Sequence, residues 1–83
     1  MKKSRQTVID GALEVLRSIA PEVEPGSINP AQPLRRQVDL DSMDWLNFLV
    51  GLHARFGVTI AEADYAKLIC LNDVVDYLQA RLD

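Results

Sequence analysis

Asp41-Ser42-Met43-Asp44-Trp45-Leu46-Asn47-Phe48-Leu49-Val50-Gly51-Leu52-His53-Ala54-Arg55-Phe56-Gly57 is the stretch on which the reading of this chain turns. Asp41 is a good N-cap, because its carboxylate can accept from a backbone N–H left unpaired at a helix start. Asp44 falls three residues later, where an acid suits the first turn and its dipole. Gly57 fits the position after the last turn. The spacing predicts a helix from Asp41 to about Phe56. An amphipathic helix needs one apolar stripe, and this one has two. Trp45, Phe48, Leu49, Leu52 and Phe56 make an inward face. Met43, Leu46 and Val50 run at i, i+3, i+7 along a neighbouring face, beside Ser42. With Asp41 as the cap, Ser42 takes the first helical position and its hydroxyl is free of capping duty. A phosphate esterified there would sit in a favourable field, worth about 0.3–1 kcal/mol at an exposed site. Three apolar residues on a surface next to a free hydroxyl suggest a docking strip, and methionine suits surfaces that adapt to partners. The competing reading is a helix wrapped on two sides by its neighbours.

Outward from this helix the chain reads as helix, long loop, helix, short helix, helix. From about Ser4 to Ala20, the steps 9, 13, 16, 20 and 8, 12, 15, 19 give one broad apolar stripe. Ser4 or Thr7 can cap its start, and Pro21 ends it. Gly11 lies inside, at a cost of about 1 kcal/mol relative to alanine. Residues 21–40 hold all four prolines and read as an ordered loop, pinned by Ile28, Leu34, Val38 and Leu40. Arg35 and Arg36 read as a solvated turn. Val58-Thr59-Ile60 is too short for a sheet and reads as a connector with Ile60 buried. Glu62 to Leu68 reads as a short helix with Ala63, Ala66 and Ile69 on one side. Cys70 or Asn72 starts a last helix to about Leu82, with Leu71, Val74, Val75, Leu78 and Leu82 on its apolar face.

Composition bounds the function. Eighty-three residues make one domain, 1–83, and 48% are apolar, so the chain is not disordered by composition. The net charge of −3 comes without a basic stripe, which argues against nucleic acid. One cysteine allows no internal disulfide and suits a reducing compartment. No apolar run approaches the roughly 20 residues of a membrane helix, and Gln6, Thr7 and Asp10 stand where a signal peptide would put its apolar stretch. A cytoplasmic monomer is expected. Phosphate loops, dinucleotide loops and paired cysteine or histidine ligands are absent. One histidine and one cysteine are a thin supply for a metal site, and His53 and Cys70 read as structural residues. An enzyme is not expected.

Asp41-Ser42-Met43 resembles the Asp-Ser-Leu attachment motif of acyl carrier proteins, with methionine for leucine. Pro33-Leu34 before it, Phe56-Gly57-Val58-x-Ile60 after it and Asp73-Val74-Val75-Asp76-Tyr77-Leu78 near the end resemble the same family's pattern, over essentially the whole chain. The resemblance implies an all-α, acyl-carrier-like four-helix bundle with a long first loop and a short third helix. It implies that Ser42 receives 4′-phosphopantetheine from coenzyme A, attached by a separate phosphopantetheinyl transferase that Asp41 helps to engage. The arm's thiol would carry acyl groups to acyl-loading and acyl-processing enzymes of fatty-acid, lipid or polyketide-type biosynthesis. Met43, Asp44, Leu46 and Val50 match partner-docking positions, and Ile60, Ala66 and Leu68 resemble positions near an acyl cavity. The second helix lacks the run of glutamates typical of housekeeping carriers, so a specialised pathway is implied. Peptidyl carriers commonly place glycine before the serine, which Asp41 does not match. The alternative is an unmodified helical interaction domain that has lost the carrier role.

Overall fold

The computed structural model describes residues 4–82. Helices α1 (Arg5–Ile19), α2 (Leu34–Gln37), α3 (Ser42–Phe56) and α4 (Leu71–Arg81) are joined by 3₁₀ segments at Pro25–Ser27 and Glu62–Lys67. Among the described residues, the only sheet-like feature is an isolated antiparallel bridge between Pro33 and Cys70. The fold is all-α, as the sequence implies.

Each long helix starts where local chemistry dictates. Ser4 caps α1 by accepting from the Thr7 N–H at 3.2 Å. Cys70 caps α4, and the Asp73 carboxylate accepts from the N–H groups of Ile69 and Cys70 at 3.1 and 3.2 Å. Those backbone donors, that of Cys70 foremost, hold the Asp73 carboxyl below its ordinary range. Gly57 closes α3 with φ +69°, a left-handed turn that L side chains resist.

Helix α1 packs against both α3 and α4. The core joins Val8, Ala12 and Leu16 of α1 to Phe48, Leu49 and Leu52 of α3 and Val74, Val75 and Leu78 of α4. Fully burying one such side chain contributes about 1.5–3 kcal/mol. Trp45 and Phe56, placed on the inward face by their spacing, are only half-buried. Two glycines let α1 and α3 approach closely. A Cβ on Gly51 would lie 2.6 Å from Val15 Cγ1, and one on Gly11 would lie 2.6 Å from Phe56 Cζ. The contacts 11 with 56 and 15 with 51 show that the two helices run antiparallel. Gly11, a cost within its own helix, is repaid in packing. Arg55 on α3 pairs with Glu14 on α1 across the same seam.

The long loop is ordered by its buried residues and its backbone. Val23, Leu34, Val38 and Leu40 are buried. Leu34 N–H donates to Ile69 carbonyl and Asn72 N–H to Pro30 carbonyl, both at 3.0 Å, which ties the loop to the start of α4. One feature departs from the loop reading: Leu34–Gln37 forms the single turn α2. Leu34 is fully buried there, so burial and the bond to Ile69 hold a turn that has no periodicity to betray it.

The short third helix is 3₁₀, and its inward face differs from the expectation. Ala63, Ala66 and Ile69 are exposed, whereas Tyr65 is half-buried and Leu68 buried. A 3₁₀ segment turns three residues per turn, which rotates the side chains away from an α-helical register. The Tyr77 hydroxyl on α4 anchors this segment, donating to Asp64 at 2.8 Å while accepting from the Ala61 N–H at 3.3 Å. The Asp64 carboxyl is held below its ordinary range, by that hydroxyl first and by Lys67 and Arg81 after it.

Candidate functional site

The site is built on the first turn of α3. Asp44 N–H donates to Asp41 Oδ1 at 2.8 Å, and Asp41 N–H donates to Asp44 Oδ2 at 3.4 Å. This reciprocal pair is a capping box formed by two aspartates. It engages both carboxylates at the helix start. Asp44, which the resemblance places among docking residues, is half-buried and turned back to the backbone. Ser42 is the first residue of α3 and is exposed. Among the described residues no hydrogen bond occupies its hydroxyl. Arg35 Nε donates to the Leu40 carbonyl at 3.3 Å, which fixes a guanidinium beside the strand of chain that leads into the cap.

The second apolar stripe is open to solvent. Met43, Leu46 and Val50 are 65%, 40% and 55% exposed. The reading in which neighbouring helices cover this face does not hold. Ile69, which spacing groups with Ala63 and Ala66 on one side of the short helix, is a further exposed apolar residue, at 53%.

Below the strip lies a recess of about 250 Å³, lined by Leu49, Val50, His53, Thr59, Ile60 and Tyr65. Of the three residues placed near a cavity by resemblance, Ile60 is in this lining. Ala66 and Leu68 are not: Ala66, within the 3₁₀ segment, is on the surface, and Leu68, just past its end, is in the core. The lining residues Leu49, His53, Thr59 and Tyr65 went unassigned to a cavity in the sequence. The i, i+4 step from Leu49 to His53 was the signal available, but which element covers that face is a tertiary matter. At 100° and 1.5 Å per residue, Ser42, Leu46, Leu49 and His53 lie within about 60° on one face of α3. Leu49 and His53 are then about 10 and 16 Å from Ser42 along the axis. His53 Nδ1 lies 3.0 Å from the Val58 carbonyl. A carbonyl only accepts, so Nδ1 carries the proton, and in the neutral ring Nε2 is an acceptor.

The matched family model is the phosphopantetheine attachment site, over residues 12–78. The chain belongs to the acyl carrier protein family. It is 30% identical over 79 residues to a meromycolate extension acyl carrier protein of Mycolicibacterium aurum, covering 95% of this chain and 80% of that one. An acyl carrier protein of Thermobifida fusca is 28% identical over 79 residues, covering 95% of this chain and 99% of the relative. In fold, the chain matches the acyl carrier protein from Enterococcus faecalis with a TM-score of 0.73 at 21% identity, over 94% of this chain and 98% of that one. The protein is thus a carrier and not an enzyme, with phosphopantetheine as the group its family bears. Among the described residues, no cluster of metal-ligating side chains forms and no helix is long and apolar enough to cross a membrane.

The first turn of α3 fits that group. An attachment residue needs a hydroxyl that is exposed, uncommitted and able to bear a phosphate ester, and Ser42 meets all three conditions. The N–H groups of the first turn that the capping box leaves unpaired would lie beside a phosphate carried on Ser42.

Proposed function

We propose that Ser42 is the attachment residue for 4′-phosphopantetheine, and that the protein serves a specialised biosynthetic pathway as a stand-alone acyl carrier. The supporting observation is the exposed Ser42 hydroxyl, set first in α3 behind a capping box that uses its neighbours and leaves it free. Once attached, the arm supplies a terminal thiol that holds an acyl group as a thioester. The chain's own residues do the rest. Ser42 Oγ loses its proton and bonds to the phosphorus that bears the pantetheine, while the bond from that phosphorus to the bridging oxygen of the coenzyme A diphosphate breaks and the adenosine bisphosphate half leaves, in a reaction run by a separate phosphopantetheinyl transferase. Asp41 fixes the helix start and engages that transferase. Met43, Leu46 and Val50 offer an apolar face to acyl-loading and acyl-processing enzymes, with Asp44 at its edge. A small interface of this kind favours quick release. The recess under α3 shelters the acyl end from water.

Incubation with coenzyme A and a broad-specificity phosphopantetheinyl transferase, read by intact mass, tests the assignment. The expected result is a single arm-sized gain that is absent in Ser42→Ala. No gain, under conditions that modify other carriers, would favour an unmodified interaction domain. A gain retained in Ser42→Ala would move the attachment to another residue.

A further inference from the structure

Arg35 carries a charge that the fold holds in place and does not use. The ion pairs among the described residues take Arg5, Arg55, Lys67 and Arg81, so Arg35 has no carboxylate partner there. Its Nε–H donates to the carbonyl of Leu40, two residues before Ser42, at 3.3 Å. Its backbone belongs to α2, which the burial of Leu34 and the bond from Leu34 N–H to the Ile69 carbonyl pin to the bundle. The side chain is thus held at both ends, and its Nη groups remain as donors. Arg36 is exposed as well, but among the described residues nothing tethers its guanidinium.

Peptide geometry gives the side on which those donors lie. The described peptide bonds are trans, so the Leu40 C=O and the Asp41 N–H point in opposite directions. The Asp41 N–H points to the Asp44 carboxylate. At 100° per residue, Asp44 is about 160° around α3 from Ser42. The Leu40 carbonyl, turned from Asp44, therefore holds the guanidinium on the Ser42 side. Leu40 and Ser42 are at most about 7 Å apart between Cα atoms, a gap that a phosphate ester and a guanidinium close between them. The family's group attaches through a phosphodiester, which adds a negative charge to an end of α3 that already holds Asp39, Asp41 and Asp44. A cation there offsets the repulsion, and a guanidinium fork can pair with two phosphate oxygens at once.

We propose that Arg35 pairs with the phosphodiester of the 4′-phosphopantetheine arm and sets the direction in which the arm leaves Ser42. This rests on the carrier reading of Ser42. Arg35 binds the arm and takes no part in the transfer chemistry. An exposed pair of this kind is populated about one-and-a-half-fold to fivefold over its open form, so the base of the arm is biased and not locked.

Nuclear magnetic resonance of the unaltered protein, before and after loading from coenzyme A with a broad-specificity transferase, tests this. The guanidinium ¹⁵N resonances of Arg35 are expected to shift on loading while those of Arg36 stay. Salt at about 1 M, where screening acts within about 3 Å, should shrink the shift. The ³¹P resonance of the attached phosphodiester should move in Arg35→Gln and stay in Arg36→Gln, which loses the same charge. Arg35 resonances that do not respond to loading would overturn the proposal and leave the carrier reading standing. An equal response of the unloaded protein to inorganic phosphate would overturn it too, by making Arg35 a general anion contact. Slow loading of Arg35→Gln with an unmoved ³¹P resonance would assign Arg35 to the transferase instead. Failure of the parent to gain mass would overturn both readings.

Discussion

Replacing Asp41 by alanine and by asparagine separates two things that its carboxylate does. The structure shows Asp41 Oδ1 accepting the Asp44 N–H at 2.8 Å at the start of α3. Alanine removes that acceptor, at a cost of about 1 kcal/mol, with a range of about 0.5–2. Asparagine keeps a side-chain oxygen in the same place and caps about as well as aspartate. It loses the charge at the positive end of the helix, worth about 0.3–1 kcal/mol at an exposed site. It also removes a like charge beside Asp44, which offsets part of that loss. In a domain of this size 1 kcal/mol corresponds to about 4–8 °C in melting temperature. Thermal unfolding by circular dichroism should therefore place Asp41→Asn within about 2 °C of the parent and Asp41→Ala about 4–8 °C below it. Transfer of phosphopantetheine, followed by intact mass at a temperature where all three are folded, reads the other role. If the charge engages the transferase, Asp41→Asn is modified several-fold more slowly despite its intact cap. Two results would refute the reasoning. Equal melting of the two variants would mean that the charge, not the capping oxygen, secures the helix start. Modification of Asp41→Asn at the parent rate would remove Asp41 from recognition and leave it a cap alone.

Other outcomes follow from the same geometry. Gly51→Ala should destabilise by about 1 kcal/mol in chemical denaturation, since a helix gain of about 1 is outweighed by crowding of about 1–3 against the stiff, buried Val15. Gly11→Ala meets only the tip of the half-buried Phe56 ring, which can swing aside, and should be neutral or slightly stabilising; the reverse order would contradict the close seam between α1 and α3. Met43→Glu and Val50→Glu should leave the melting curve nearly unchanged, within about 0.5 kcal/mol, and slow partner turnover; unfolding of either would place it in the core. Asp64 and Asp73 are held below the ordinary carboxylate range, so their stabilisation is complete above about pH 4 and is lost as pH falls through their folded values. Acid titration by circular dichroism should show a plateau from neutrality to about pH 5 and a decline below about pH 4, and Tyr77→Phe should make the decline shallower.

Much of this was legible in the sequence, and the reason is locality. The cap at Asp41, the end at Gly57 and the two stripes between them depend on residues within one helix, so spacing alone finds them. Residues 34–37 form a turn because Leu34 is buried and bonded to Ile69, a partner thirty-five positions away in the chain. No window centred on Leu34 contains that partner. The 3₁₀ winding of Glu62–Lys67 follows from the Tyr77 hydroxyl gripping Ala61 and Asp64, again a distant residue. Within that segment Tyr65, rather than Ala66, meets the recess, and Leu68, past its end, is in the core. Local rules marked the helix that bears Ser42, while the cavity beside it depended on how two elements cross.

The open stripe of α3 has an evolutionary consequence. Met43, Leu46 and Val50 are exposed, and the residues that secure the helix lie on its other face. Surface substitutions of this kind usually change stability by no more than about 0.5 kcal/mol. Mutations there are almost invisible to selection for folding and fully visible to selection for whom the protein meets. Lineages can thus exchange one client for another through a few neutral steps, without ever passing through an unstable ancestor.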